Sequence, residues 1–289
     1  MTSNMVIPIA TEGGSAEDRI AALKQFAPRK PVKEFLYVSR WRIGVAIEAV
    51  NFILIWHVVS QSSLLPDSFL PSPILVAEEL VRLFSSGIIW GHGAFTAQNF
   101  FLGLLISILI GIPIGMAIGG FEVLHMFVGP LVWALYAVPL LALAPIIVLV
   151  FGLGAESKVM VVVLIAVFPI VINTMQGIRD VQPNLLRAAK VFGASKWEMV
   201  SKVMFPSLLP FLFVALRLAV AGGIAGAILA EFVGSYAGLG LLLSQSAFVF
   251  NVARVLALVM IIVAVAVLAL VGLQWIKARF APWAKDSYS

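Results

Sequence analysis

Residues with chemical reactivity are sparse in this chain of 289 residues, and their spacing excludes most chemistry. There is no cysteine, which removes disulfides, thiolate metal sites and thiol nucleophiles together. The three histidines, His57, His92 and His125, stand far apart and lack the i, i+4 spacing that sets two imidazoles on one helix face for a metal. No Gly-x-x-x-x-Gly-Lys-Ser/Thr phosphate loop occurs, so the chain cannot bind and hydrolyse ATP by that route. No catalytic residue, cofactor or metal is therefore expected in it. What remains are isolated charges within apolar sequence, notably Glu48, Arg217 and Glu231. An ionised group at the centre of a helix in lipid costs at least ~2.5 kcal/mol, so Arg217 and Glu231 are each expected to face protein or water. Arg217 and Glu231 are fourteen residues apart, about 21 Å along one helix at ~1.5 Å per residue, so each needs its own partner. Arg217 could attract an anion or hold a neighbouring helix by its carbonyl ends.

The elements that position these groups are set by composition. Apolar residues make up 62% of the chain, charged residues only 11%, and mean hydropathy is +1.08. A soluble domain carries roughly a quarter charged residues, so an ordinary soluble enzyme is excluded, and disorder is excluded by the same hydrophobicity. Apolar runs at about 43–61, 97–119, 131–152, 159–176, 207–230 and 255–276 each approach the ~20 residues that cross a bilayer as a helix. The expected fold is an all-α integral membrane protein of about six transmembrane helices. Residues 1–42 are polar and lack the early apolar stretch of a cleavable signal; within them, Ser15 to Lys24 reads as a short helix opened by a capping box.

Basic residues decide the direction. Seven Lys and Arg lie in 1–42, five in the loop 177–206 and three after the last span, against Arg82, Lys158 and Arg254 on the opposite side. Basic residues near span ends stay in the cytoplasm, so both termini are expected inside. The formal charge of +5 is thereby explained without nucleic acid, for which no basic stripe with interleaved aromatics exists.

Gly111, Gly115 and Gly119, and again Gly222 and Gly226, recur every four residues, a spacing that lets helix backbones approach where lipid gives no hydrophobic drive. Pro113, Pro139, Pro145, Pro169 and Pro210 each remove an amide donor and can bend a span. Ser72-Pro73 followed by Ile74 to Phe84 predicts an N-capped amphipathic helix along the outer surface.

One polar segment stands out: Arg187-Ala188-Ala189-Lys190-Val191-Phe192-Gly193, then nine residues, then Val203-Met204-Phe205-Pro206. Ala189 and Gly193 share a helix face at i, i+4, leaving room for another protein's backbone, and the proline introduces the next span. This spacing resembles the signature loop of ABC importer permeases: Glu-Ala-Ala, three residues, Gly, nine residues, Ile-x-Leu-Pro. Ala188, Ala189, Gly193 and Pro206 match, Val203 and Phe205 match conservatively, and Arg187 stands where the family has Glu. Pro71-Ser72-Pro73, Val138-Pro139, Ala144-Pro145, Phe151 to Lys158, Phe168-Pro169, Asn173-Thr174, Ala230-Glu231 and Gly238-Leu239-Gly240 are similar to the nitrate, sulfonate, taurine and bicarbonate branch.

The resemblance implies a type I ABC importer permease core. Its layout would be a cytoplasmic tail at 1–42, a first span and external helix at 43–96, a five-span core at 97–276 with the coupling loop 177–206, and a cytoplasmic tail at 277–289. It implies a bacterial inner-membrane protein, in contact with lipid, that works as a pair of permeases, here a homodimer, above two ABC ATPase subunits holding ATP and Mg. A periplasmic or lipid-anchored solute-binding protein would deliver a small, anionic solute. Arg187, Ala188, Ala189, Gly193 and Pro206 would form the ATPase-coupling surface, with Arg217, Glu231, Pro139 and Asn173 as pathway or gate residues; at the outer mouth, Glu231 would be either an interfacial charge in water or a gate contact with the other subunit or the binding protein. The competing class is a secondary transporter driven by an ion gradient. Such carriers often show inverted repeats and midplane carboxylates, and this sequence has no internal repeat.

Overall fold

The structure is a computed structural model that describes residues 50–62 and 69–281, with residues 44, 47 and 48. The expected helix at Ser15 to Lys24, the start of the first span and the last residues of the C-terminal tail lie outside the described residues. The chain divides into two compact units after Val59. In the first, the helix α1 (Val50–Gln61) exposes Phe52, Ile55 and Val58; its described length of about 18 Å at ~1.5 Å per residue falls short of a bilayer core.

In the second unit, α2 (Pro73–Ser85) opens as expected: Pro73 takes the first helical position and the Ser72 Oγ accepts from the Leu75 N–H at 3.4 Å. After Gly87, whose φ of 74° turns the chain, α3 runs from Ile88 to Gly120. It begins nine residues before the apolar run at 97 and passes through Gly91 and Gly93 without a break.

The core is built on close backbone approach. On α3, Asn99, Gly103, Ser107, Gly111, Gly115 and Gly119 recur every four residues and are all buried. They face Val162, Ile170, Thr174 and Ile178 of α6 (Ala155–Arg179), rising in step, so α3 and α6 run parallel. A Cβ at Gly103 would sit 2.7 Å from Val162, at Gly111 2.8 Å from Ile170 and at Gly115 2.6 Å from Thr174, so the stripe holds the backbones closer than any side chain allows. α6 also packs on α9 (Phe205–Val233), where Gly222 and Gly226 receive the Ile165 side chain. Ala166, Ile170, Ala215 and Ala219 fill this interface with no exposure above 1%.

Two departures from the expected spans have clear causes. The run 131–152 is not one helix. α4 (Glu122–Tyr136) ends at Ala137, a 3₁₀ turn covers Leu140–Leu143, and α5 (Ala144–Phe151) leaves at 72°. Pro139 lacks the amide that would continue α4 and pushes Val138 out of helical backbone, while Pro145 starts α5 afresh. The stretch after 230, read as loop, contains α10 (Leu239–Phe248) before α11 (Val252–Phe280). Among the described residues, α3, α6, α9 and α11 are long and apolar enough to cross a membrane, and the bent α4–α5 pair makes five; the sixth expected span begins outside them.

Candidate functional site

The segment between α6 and α9 forms a small structured unit. α7 (Pro183–Val191) starts with Pro183 at its first turn and ends in a Schellman cap. Gly193 N–H donates to the Lys190 carbonyl and Ala194 N–H to the Ala189 carbonyl, both at 3.0 Å, with Gly193 at φ 75°. Glycine is required there for its left-handed backbone, since a Cβ would meet nothing within 4 Å. Ser195 then opens α8 (Lys196–Glu198) with a full capping box shared with Glu198. The exposed Glu198 carboxyl, in the polar loop, is held at about 2 by hydrogen bonds from Lys202 and Ser195, so this cap keeps its charge at any physiological pH. A π turn over Met199–Met204 leads into α9 with Pro206 at its start. Pro206 withholds the amide that would bond the Lys202 carbonyl four residues back, inside the π turn, which favours a departure from regular α winding there.

Arg187, Ala188 and Gly193 are exposed and Ala189 half-buried, so α7 and its cap present these four positions together, while Pro206 is half-buried at the foot of α9. Among the described residues no acceptor pairs with Arg187. Beside the cap, Val191, Phe192 and Trp197 are 85%, 88% and 76% exposed. Sequence reasoning fixed on the small residues and missed these three; the signal was a run of large apolar side chains in a segment otherwise too polar to enter lipid.

The other end of α6 and α9 is organised in the opposite way. Lys158 and Glu231 are both 0% exposed. The Lys158 Nζ donates to the carbonyls of Leu153 and Gly234 and to the Ser157 Oγ. The Glu231 Oε2 accepts from the Thr96 Oγ1 at 2.9 Å and from the Gly240 N–H at 3.0 Å. Thr96 accepts in turn from Leu239 N–H, and His92 Nδ1 accepts from Gly238 N–H at 3.0 Å. A Cβ at Gly238 would collide with the Glu231 carboxyl, and one at Gly240 with the Ile228 carbonyl. Glu231 is therefore enclosed by its own chain and not an interfacial charge in water, and its carboxylate touches no surface another subunit could reach. Lys158, counted from sequence as a loop charge, is the second half of the same buried cluster. The Glu231 Oε1 on α9 and the Asn99 Nδ2 on α3 are buried with no partner among the described residues.

Arg217 lies on the exposed side of α9, with no side-chain partner among the described residues. Asn173 is half-buried on α6 and donates to the Pro169 carbonyl at 2.7 Å. Pro139 is exposed at the α4–α5 break, where the rings of Tyr136 and Phe168 stand 6.4 Å apart and those of Trp133 and Tyr136 6.5 Å apart. The structure shows no contact joining Arg217 to Glu231. Among the described residues no group of His, Asp or Glu is placed to hold a metal.

Two features at the α2 and α10 ends were not foreseen. Glu79 is buried and accepts from Arg82 Nη1 at 2.9 Å and from Arg254 Nε at 3.1 Å, tying α2 to the start of α11. α10 ends in a second Schellman cap, with Phe250 N–H donating to Ala247 and Asn251 N–H to Ser246, both at 3.0 Å. The left-handed residue, at φ 55°, is Phe250 rather than glycine.

Residues 88–285 match the family described as binding-protein-dependent transport system inner membrane component, and the chain belongs to it. The taurine transport system permease protein of Escherichia coli strain K12 is 29% identical over 254 residues, 84% of this chain and 92% of that one. The riboflavin transport system permease protein of Chloroflexus aurantiacus is 33% identical over 231 residues, 80% of this chain and 84% of its own. Among solved structures, an inward-facing form of the MetNI methionine ABC transporter superposes with a TM-score of 0.52 at 21% identity, covering 72% of this chain and 97% of that one; the fold is that of a type I importer permease. The protein is thus a multi-pass inner-membrane ABC permease, and the gradient-driven carrier is set aside.

Proposed function

We propose that this permease carries a small anionic solute of the sulfonate or taurine class inward, driven by two copies of a separate ATPase that grip the α7–α8 loop. The observation that carries the coupling role is the loop itself: a rigid cap at Gly193 flanked by the exposed Val191, Phe192 and Trp197, an apolar surface of the kind that fits a groove on a partner. Ala188, Ala189 and Arg187 lie on the same short helix, and the π turn and Pro206 join it directly to α9, so displacement of the loop moves a span. The ATPase shifts the permease between inward-open and outward-open states only insofar as it binds nucleotide differently in the two.

Anion selectivity is supported by the taurine relative and by Arg217, whose exposed guanidinium must meet water or protein rather than lipid. One loop per chain supports a homodimer with a two-fold axis along the membrane normal, both termini lying in the cytoplasm on the strength of the basic residues, with solute delivered by a periplasmic or lipid-anchored binding protein. A second reading, a neutral heterocycle, is favoured by the riboflavin relative and by the Trp133, Tyr136 and Phe168 rings beside the broken span. Reconstitution with the ATPase in liposomes tests both. Uptake of taurine or an alkanesulfonate that falls with Arg217→Gln, in a variant that still assembles, supports the first; uptake of a flavin or pyrimidine that is indifferent to Arg217→Gln overturns it. Native mass spectrometry reads the copy number, and one permease per ATPase pair refutes the homodimer.

A further inference from the structure

At the end of the molecule opposite the α7–α8 loop, α2, α10 and the start of α11 enclose an open cleft lined by Arg82, Ser86, Gln245 and Arg254. Both guanidiniums lean on the one Glu79 carboxylate, Arg82 through Nη1 and Arg254 through Nε. Among the described residues no other acceptor reaches either, so two cations share one anion and the remaining forked donors are free to take a second carboxylate. The rim of this cleft continues into Phe248, Val249 and Phe250, which are 78%, 73% and 82% exposed. Nothing in α10 needs them: the cap beneath is made by backbone groups alone, and a glycine would adopt the φ of 55° at Phe250 without strain. A phenylalanine kept at a strained, solvent-facing position beside two arginines has the composition of a protein-binding hot spot, in which aromatic and Arg side chains anchor the partner.

We infer that the Arg82–Arg254 cleft and the Phe248–Phe250 knob form the docking surface for the solute-delivering protein, the cleft receiving an acidic side chain of that partner and the knob an apolar hollow beside it. The inference rests on the proposed importer function and on the orientation that puts this end outside. A free anion would use the arginines alone; the knob is what commits the surface to a protein.

The test uses the whole permease–ATPase complex in lipid nanodiscs with the solute-binding protein of the same transport system. Arg82→Glu and Phe250→Gly are each expected to weaken its binding about tenfold or more, as for hot-spot residues, and to abolish its stimulation of ATP hydrolysis, while the variant complexes still assemble and basal hydrolysis stays at the native level. Arg82→Glu is expected to act mainly on the association rate, with a steeper salt dependence in the native complex. Native affinity in both variants overturns the inference. So does binding of inorganic sulfate or acetate that Arg82→Glu abolishes while affinity for the binding protein is untouched, or a crosslink between two permease copies through Phe250→Cys. Because the chain has no other thiol, Phe250→Cys also reads orientation: labelling by an impermeant reagent only from the cytoplasmic side sinks the docking surface and leaves the fold intact. If the native complex binds no solute-binding protein at all, the importer reading itself fails, a result distinct from equal binding by native and variant complexes.

Discussion

The molecule ends two of its helices with the same pair of backbone hydrogen bonds, at Gly193 after α7 and at Phe250 after α10, and the surroundings of the two caps differ throughout. At Gly193 the residue type satisfies the backbone, and large apolar side chains stand beside it on Val191, Phe192 and Trp197. At Phe250 the side chain itself occupies the left-handed position, which costs an ordinary residue about 1–2 kcal/mol. Behind Phe250 the frame is pinned by the part-buried bond that Arg254 donates to Glu79 and by the buried bonds that Thr96 and Gly240 donate to Glu231. Behind Gly193 no buried side-chain bond is seen among the described residues; the loop is joined to the core through its π turn and backbone. The contrast teaches where this fold places its rigidity: one end is locked around charged groups taken out of water, and the other is an exposed lever on the end of a span.

The largest effect is expected where that rigidity is broken. Lys158→Met removes the ammonium that donates to the Leu153 and Gly234 carbonyls and to the Ser157 Oγ; each buried acceptor left without its donor costs about 1–3 kcal/mol. The variant should lose most of its folded yield in detergent, and thermal unfolding with size-exclusion chromatography measures it. Native stability in Lys158→Met would show that the cluster does not lock this end.

Much of this contrast is hidden from sequence for physical reasons. The glycine stripe of α3, the amphipathic α2 and the loop centred on Gly193 are local patterns with a period or a fixed offset, so they are legible. The break at Pro139 was visible as a proline, but its 72° angle depends on how α5 packs against α6 and α9. Lys158 and Glu231 lie seventy-three residues apart, and no local rule pairs them; a lysine near a span end reads as an interfacial charge until α3, α6 and α9 close over it. Phe250 had no signal, since a Schellman cap is anticipated from glycine or asparagine at its left-handed position. Arg217 was legible as a problem, a charge in a span, and the structure leaves it exposed with no side-chain partner among the described residues.

The second prediction moves to the lever. Gly193→Ala puts a Cβ on a left-handed residue and should destabilise the cap by about 1 kcal/mol without any clash, because the space is open. Gly193→Trp adds bulk on the surface proposed for the ATPase. Insertion and pairing should survive in both, with uptake reduced mildly by Ala and abolished by Trp while ATP hydrolysis continues. Equal loss in the two variants would mean that the glycine serves only its backbone angle; full uptake with Trp would end the coupling role of this loop.

The smallest effect sharpens the comparison from the other cap. In Phe250→Gly the strain of about 1–2 kcal/mol is relieved, while glycine gives back roughly 0.5–1 kcal/mol through the greater freedom of the unfolded chain. Phe250 is 82% exposed, so removal of its ring forfeits little burial. The net expectation is a gain of at most about 1 kcal/mol, the opposite sign to Gly193→Ala at the matching position of the other cap. Paired thermal unfolding of the two variants in one lipid background measures the difference directly. A fall in stability for Phe250→Gly as large as that for Gly193→Ala would mean that the phenylalanine ring supports the fold, and the reason to assign its exposed face to a partner would be gone.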